Sequence, residues 1–357
     1  MKPIGVAIVG CGRISDLHQV GYRGMSDARI VTVCDLNGET AEKRAKQWGV
    51  NKICTEYAQV LADPEVDLVE LLLPHHLHAD MTVEACRAGK HVSVQKPMAT
   101  CVSEADRMIE AARKAGVVLR IYETFIFYPP AVMAKKLLMS GEIGEPQMLR
   151  MHVSTGIMDC GWEIPMDAWI WRFNEEQCGG GPMIFDHGYH LYSLAHYLMG
   201  SVERVKAWID RTEVMPGVYL DAPATMMFQF KSPRRYGVFD VEHTPNTQIS
   251  SDYYVDDDRI EIIGDKGMIF INRYTARTVD LPEVMVFKDG KTTPVTVDRV
   301  DWSCGFIDCT RHLIDVLRKG GEPVLDGPTG KSVLQFALAV LQSAKTGEEV
   351  RPDDITA

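Results

Sequence analysis

Long apolar runs are missing from this 357-residue chain. No stretch of about 18 uncharged hydrophobic residues occurs, which excludes a membrane-spanning helix. Positive charge is in deficit. With 38 Lys and Arg against 49 Asp and Glu, the net charge is -11. That is the wrong sign for a protein that grips phosphate backbones, so no nucleic-acid partner is expected. Paired cysteine motifs are also absent. The nine cysteines are an odd, scattered set with no CxxC. In a chain of this size they read as reduced, packed thiols rather than a disulfide frame or zinc site, and no metal is expected. Ahead of "IGVAIVGCG" there is no room for the charged, apolar and cleavage regions of a secretory signal, so a cytoplasmic protein is expected.

What is present is ordinary for a globular enzyme: 46% hydrophobic and 24% charged residues, at a length that suggests about two domains. A short β-branched run from Ile4 to Val9 leads into Gly10-Cys11-Gly12-Arg13-Ile14-Ser15. This is GxGxx[GAS]. The first glycine permits a tight turn, the second lets backbone approach a pyrophosphate, and the small Ser15 lets helix and strand pack. The pyrophosphate would sit at the N-terminus of the following helix, beside Arg13 and Ile14. A second strand, "RIVTVCDLN", ends at Asp35. Its carboxylate suits a ribose 2'-hydroxyl and repels a 2'-phosphate, and no arginine follows it, which favours NAD over NADP. The competing reading of Asp35 is a cap on the next helix.

Strands and helices keep alternating. "DLVELLLP" fits a parallel strand buried on both faces, and "HADMTVEACRAGK", "HVSVQKP", "SEADRMIEAARKAG" and "VVLRIYE" continue the series. Residues 1–125 are therefore expected to form a Rossmann-type, doubly wound parallel α/β domain. Ligands bind beyond the carboxyl ends of such strands, which here carry residues 10–14, Asp35, residues 74–78 and 95–97, and Glu123.

From about Ile126 the alternation stops. Runs such as "QMLRMHVST", "RVKAWIDRTEV", "TMMFQFK" and "DRIEIIGDKGMIFI" predict an α+β domain over 126–357 with a large, mostly antiparallel sheet. Two closing helices, at about 305–347, are expected to lie near the first domain. Within this half, "GGGPMIFDHGYHLYSLAHYLMG" begins at Gly179 and places Pro182 in a first helical turn. At roughly 100° per residue, Ile184, Gly188, Leu191, Ala195 and Leu198 share one face, with Asp186, His190, Ser193 and Tyr197 opposite. Taken alone, that stripe also fits a solvated face carrying an Asp–His pair. Asp252, Asp256, Asp257 and Asp258 read as a solvated acidic loop. The adjacent histidines of "PHHLH" diverge, which disfavours a metal cluster.

In order along the chain, these motifs resemble the Gfo/Idh/MocA family of nicotinamide-dependent sugar and cyclitol oxidoreductases. The resemblance rests on Gly10/Gly12, Pro74/His78, Lys96/Pro97 in "VQKP", the glycines at 179–181 with Asp186 and His190, and the closing "EPVLDGPTGKSVLQFALAVLQSAKTGEEV". It covers nearly the whole chain. Three departures stand out: Gln95 replaces a glutamate, Ser193 replaces a frequent acidic residue, and "YETFIFYPP" lacks the arginine many relatives carry. The resemblance implies NAD as cofactor, held by Gly10, Gly12, Arg13, Ile14, Asp35, Pro74, His78, Gln95, Lys96 and Pro97. It places the Asp186/His190 helix over the nicotinamide end of the cleft, across from Lys96. It also implies that the open face of the sheet is a subunit interface, hence a homo-oligomer.

Oxidising a secondary alcohol requires a base within hydrogen-bonding reach and with a pKa near the working pH. Histidine needs no tuning for this, whereas lysine does. The expectation is His190 as proton acceptor, oriented by Asp186, with Lys96 donating to the substrate oxygen and Pro97 aiming Lys96. Lys96 as the base is the alternative. Glu123, Tyr128, Trp162, Trp169, Trp171, Arg172 and His187 are candidate substrate contacts, since aromatic faces and an arginine suit a sugar ring. The implied reaction is NAD-dependent oxidation of a ring hydroxyl of a sugar, a glycoside (at C3) or a cyclitol. A redox-neutral NAD-dependent glycosidase and a non-catalytic NAD-binding sugar sensor are the alternatives, the sensor disfavoured by the intact Lys96, Asp186 and His190.

Overall fold

The computed structural model describes residues 2–160, 162 and 164–356. Six strands form a parallel sheet: β1 (Ile4–Val9), β2 (Ala28–Cys34), β3 (Lys52–Cys54), β4 (Leu68–Leu71), β5 (His91–Gln95) and β6 (Leu119–Tyr122), in the order β3-β2-β1-β4-β5-β6. Every residue of β1 and β4 is buried, as a strand covered on both faces by helices demands. The connecting helices are α1 (Ser15–Val20), α2 (Gly38–Trp48), α3 (Tyr57–Ala62), α4 (His78–Arg87) and α5 (Val102–Ala115). Local chemistry sets their ends. Asn37 accepts from the Thr40 N–H at the start of α2, and the left-handed Gly49 closes that helix. The strand order reverses between β1 and β4, so a crevice opens above their carboxyl ends.

The second sheet has eight strands. They are β7 (Pro146–Cys160), β8 (Val202–Ile209), β11 (Ala224–Phe230), β12 (Tyr236–Ser251), β13 (Asp256–Gly264), β14 (Gly267–Ile271), β15 (Val284–Lys288) and β16 (Lys291–Val295). A separate hairpin of β9 (Thr212–Met215) and β10 (Val218–Leu220) interrupts the series. All pairs in the large sheet are antiparallel except β7 with β12, which run parallel. The helices of this half are α6 (Pro129–Met139), the short α7 (Glu175–Cys178) and α8 (Gly188–Met199). Alternate residues of the central strands, including Leu149, Met151, Phe228 and Phe239, are buried on one face. There Tyr192 of α8 packs on Phe239 and on Phe336.

The last two helices return to the first sheet. Helix α9 (Ser303–Lys319) brings Leu313 and Ile314 onto Val6, Ile8 and Leu68, while Arg311 grips Asp27 with both of its terminal nitrogens, at 2.9 and 2.7 Å. Helix α10 (Gly327–Thr346) follows a backbone bond from Ile121 N–H to Leu325 O of 3.0 Å. Arg120, only 2% exposed, ties β6 to α9 by donating to Cys309 O at 2.7 Å and to Ser93 Oγ at 3.1 Å. Removing its side chain orphans a buried carbonyl and opens a cavity. Arg120→Ala is expected to cost about 3 kcal/mol of stability, read as a lowered urea midpoint with NADH affinity falling in step.

Candidate active site

Above the carboxyl ends of the first sheet lies a cleft of about 980 Å³. One half of its wall is built from Gly10, Gly12, Arg13, Ile14, Asp35, Leu36, Pro74, Gln95 and Lys96. Gly10 has φ +91°, and a Cβ there would lie 2.2 Å from Leu72 O, so only glycine fits. Gly12 is different. A Cβ on it would meet nothing within 4 Å and would project into open space at the cleft wall. Asp35 accepts from the Cys11 N–H at 2.7 Å and from the Asn37 N–H at 2.9 Å, which fixes its carboxylate at the wall. The next residue, Leu36, is 90% exposed and offers an apolar surface and no cation. Of the nearby guanidiniums, Arg44 is engaged by Asp16 and the carbonyl of Cys11, and Arg13 donates to Asp16 at 2.6 Å. These residues fit an NAD-type dinucleotide with an unphosphorylated ribose.

At the centre of the cleft, Lys96 Nζ donates to Asp186 Oδ1 and to Asp186 O, each at 2.7 Å. Arg172 Nε donates to Asp186 Oδ2 at 2.5 Å. His75 completes the shell, with Nε2 3.3 Å from Asp186 Oδ1 and Nδ1 2.7 Å from Cys178 O. Burial alone would raise the Asp186 pKa, but the charges of Lys96 and Arg172 hold it well below the usual carboxylate range. The peptide between Lys96 and Pro97 is cis.

His190 is not oriented by Asp186. Its Nδ1 lies 2.7 Å from Glu123 Oε1, and its ring stacks on Phe125 at 4.2 Å. The Asp186 and His190 side chains both reach the cleft, but Asp186 is already taken by Lys96, Arg172 and His75. Asp186 itself is carried on a π-helical turn over Pro182–His187. Asp221 caps this turn by accepting from the Met183 and Ile184 N–H groups, both at 2.8 Å. The opposite face of α8 is not solvated either, since Ser193 is buried with Asp186. Burial pushes the His190 pKa down to about 4, against the pull of Glu123.

Other expected contacts divide. Trp162, Trp169, Trp171, Arg172 and His187 line the cleft, with the Arg13 guanidinium 4.4 Å over the Trp162 ring. Tyr128 and Glu123 do not. Tyr128 is turned into the core against Tyr274 and Trp302, its hydroxyl donating to Val300 O at 2.8 Å. Glu123 is fully buried behind His190. His78 and Pro97 lie behind the wall as well: the His78 ring bridges Pro97 O and Leu73 O at 2.9 and 3.0 Å, bracing the turn instead of facing a ligand. His75, one turn earlier, takes the cleft position.

The acidic run at 256–258 is not a solvated loop. Asp257 and Asp258 are buried at the start of β13. His187 lies between two of these carboxylates, with Nε2 2.9 Å from Asp258 and Nδ1 3.6 Å from Asp256. Burial opposes its charge, yet Asp258 and Asp256 raise the His187 pKa above its ordinary value. The sequence also did not disclose Tyr254, Trp302 and His243 as cleft residues; nothing local distinguishes them from core side chains. Among the described residues, the cluster with metal-ligand spacing is His152, Asp240 and Glu242, on the opposite face of the large sheet.

Comparison with known proteins is consistent along the chain. Residues 4–123 match the GFO_IDH_MocA family, "Oxidoreductase family, NAD-binding Rossmann fold", and residues 132–270 match the "GFO/IDH/MocA C-terminal domain". The chain is 26% identical to D-apiose dehydrogenase of Paraburkholderia graminis, over 96% of this chain and 88% of that one. It is 30% identical to D-glucoside 3-dehydrogenase of Escherichia coli, over 56% and 55% of the two chains. An Agrobacterium radiobacter oxidoreductase solved with NAD+, L-tartaric acid and magnesium superposes with a TM-score of 0.83 at 20% identity, covering 99% of this chain and 100% of that one.

The open space at Gly12 separates binding from folding. Gly12→Val is expected to leave the melting temperature unchanged and to weaken NADH by roughly tenfold or more, about 1.4 kcal/mol, in a fluorescence titration.

Proposed function

Since the chain belongs to the GFO/IDH/MocA family of NAD-binding oxidoreductases, we propose that it oxidises a secondary ring hydroxyl of a sugar, glycoside or cyclitol. The observation that carries this reading is the Lys96–Asp186 pair beside His190 at the cofactor cleft. Oxidation splits the alcohol into a hydride from carbon and a proton from oxygen, leaving a ketone. NAD, when bound, supplies the hydride acceptor. The protein must take the proton and stabilise the oxygen as charge develops. An ammonium has three N–H donors; two of those on Lys96 are committed to Asp186, which leaves one for the substrate oxygen. Releasing that proton would remove the positive charge facing the buried Asp186 and leave Arg172 as its remaining cation, so Lys96 is read as donor and His190 as proton acceptor.

The lining of the cleft favours a glycoside over a free sugar. Trp162, Trp169 and Trp171 contribute to it, with Val214, Met215 and Leu220 of the β9–β10 hairpin. Such a lining suits an apolar aglycone, and with the anomeric carbon occupied, the reading leans to the C3 hydroxyl. The D-glucoside 3-dehydrogenase relative supports the same lean.

The working form is proposed to be a homo-oligomer in the cytoplasm. The outer face of the large sheet exposes Trp208, Met227 and Tyr236, which a second copy would cover. No helix among the described residues is long and apolar enough to cross a membrane. The eight cysteines with described side chains are free thiols, as suits a reducing compartment. Met227→Glu with Tyr236→Glu is expected to shift light-scattering mass to the monomer while leaving NADH binding intact; an unchanged mass would move the interface elsewhere.

The decisive assay is NADH absorbance on mixing enzyme and NAD+ with cyclitols, free sugars and glycosides. A rise with one class, reduced ~10²–10⁴-fold in Lys96→Ala and in His190→Ala, is the expected result. A flat trace with aglycone release would instead indicate redox-neutral glycoside cleavage, and a flat trace with binding alone would indicate a sensor.

A further inference from the structure

We propose that Glu123 is the positioning residue that makes His190 a proton acceptor: it holds the proton on Nδ1 and so presents Nε2 to the substrate hydroxyl. The inference rests on the role given to His190 above. Glu123 Oε1 receives two N–H groups, the Phe125 backbone at 2.8 Å and His190 Nδ1 at 2.7 Å. A carboxylate oxygen so placed can only accept, so Nδ1 carries the hydrogen and the lone pair of the neutral ring is on Nε2. Phe125 stacks on the ring at an interplanar angle of 12°, which fixes its plane while Glu123 fixes its rotation.

The second oxygen of Glu123 carries the argument further. Oε2 is buried and has no hydrogen-bond partner among the described residues. If the side chain served only to satisfy the Phe125 N–H, a neutral amide oxygen would do so without the cost of burying a charge. The negative charge has use only when His190 becomes positive. Lys96 and His187, the other charged groups acting on His190, both oppose that state, and Asp256 and Asp258 lie beyond His187 on its far side. Glu123 is the group that favours it. On proton transfer, the substrate O–H bond breaks, a bond to Nε2 forms, and the resulting imidazolium faces the Glu123 carboxylate across the existing Nδ1–H bond. The neighbouring carboxylate, Asp186, is occupied by Lys96 and Arg172.

The test compares Glu123→Gln, His190→Ala and the double variant on the substrate found in the panel. Glu123→Gln keeps shape and can still accept the Phe125 N–H. It is expected to lower kcat roughly 10- to 100-fold with KM and NADH affinity changed less than about twofold. Because the lost charge had favoured protonated His190, the acid limb of the kcat/KM profile should move to lower pH. In the His190→Ala background the same substitution should have little further effect. Imidazole ¹⁵N shifts should show His190 as the Nδ1–H tautomer in the native enzyme and as a mixture in Glu123→Gln. Native kcat and an unmoved limb in Glu123→Gln, with His190→Ala impaired, would overturn the proposal alone. Full activity in His190→Ala would overturn the underlying reading instead. If Glu123→Gln fails to fold, Glu123→Asp decides: it retains the charge and should retain the position of the acid limb despite a lower kcat, and a moved limb would count against the proposal.

Discussion

The ion pair of Lys96 with Asp186 is the constraint around which the site is arranged. It joins the end of β5 to the π-helical turn of the second half of the chain, 90 residues away in sequence, and it is almost fully withdrawn from water. A buried pair of this kind is unstable to partial loss, because removing either member strands the other charge. Arg172 and His75 depend on it too, since each reaches the same carboxylate from a different segment. The carboxylate is thereby committed to shaping the cationic side of the cleft and is withdrawn from His190. That division of labour assigns Asp186 to Lys96, Arg172 and His75 and leaves Glu123 for His190.

Two histidines three residues apart show how far environment separates chemically identical groups. His187 sits between Asp258 and Asp256 and is held as a cation. His190, buried beside two positive groups with a single carboxylate behind it, is held neutral. Environments that push titratable groups apart in this way divide acid from base roles within one pocket.

Five strands of the first sheet were legible because each is a short apolar run and a helix of recognisable period separates most neighbours; β3 (Lys52–Cys54) was not, since it is three residues long and largely exposed. The existence of the second sheet was legible for a similar reason, but its order was not. β7 pairs in parallel with β12 and antiparallel with β13, and no local signal encodes which of several similar strands lies alongside. Lys96, Asp186 and His190, singled out from the sequence, all line the cleft, but Asp186 pairs with Lys96 and Arg172 and not with His190. A helical wheel puts Asp186 and His190 on one face, and both do reach the cleft, but it carries no information on Lys96, Arg172, His75 and Glu123, which arrive from distant segments and claim them first. Asp256 to Asp258 misled for the opposite reason. A run of like charges ordinarily means solvent, and only the position of β13 under His187 explains why two of the three are buried.

The closing helices carry a consequence for biosynthesis. Leu313 and Ile314 of α9 complete the hydrophobic cluster of Val6, Ile8 and Leu68, and the Arg120 contacts to Cys309 join the far edge of the same sheet to that helix. β1 and β4 are translated well before α9, the helix that completes their cluster. Until α9 has been made, Val6, Ile8 and Leu68 lack part of the apolar surface that covers them. Completion of the nucleotide-binding sheet is thereby coupled to the arrival of a helix distant in sequence.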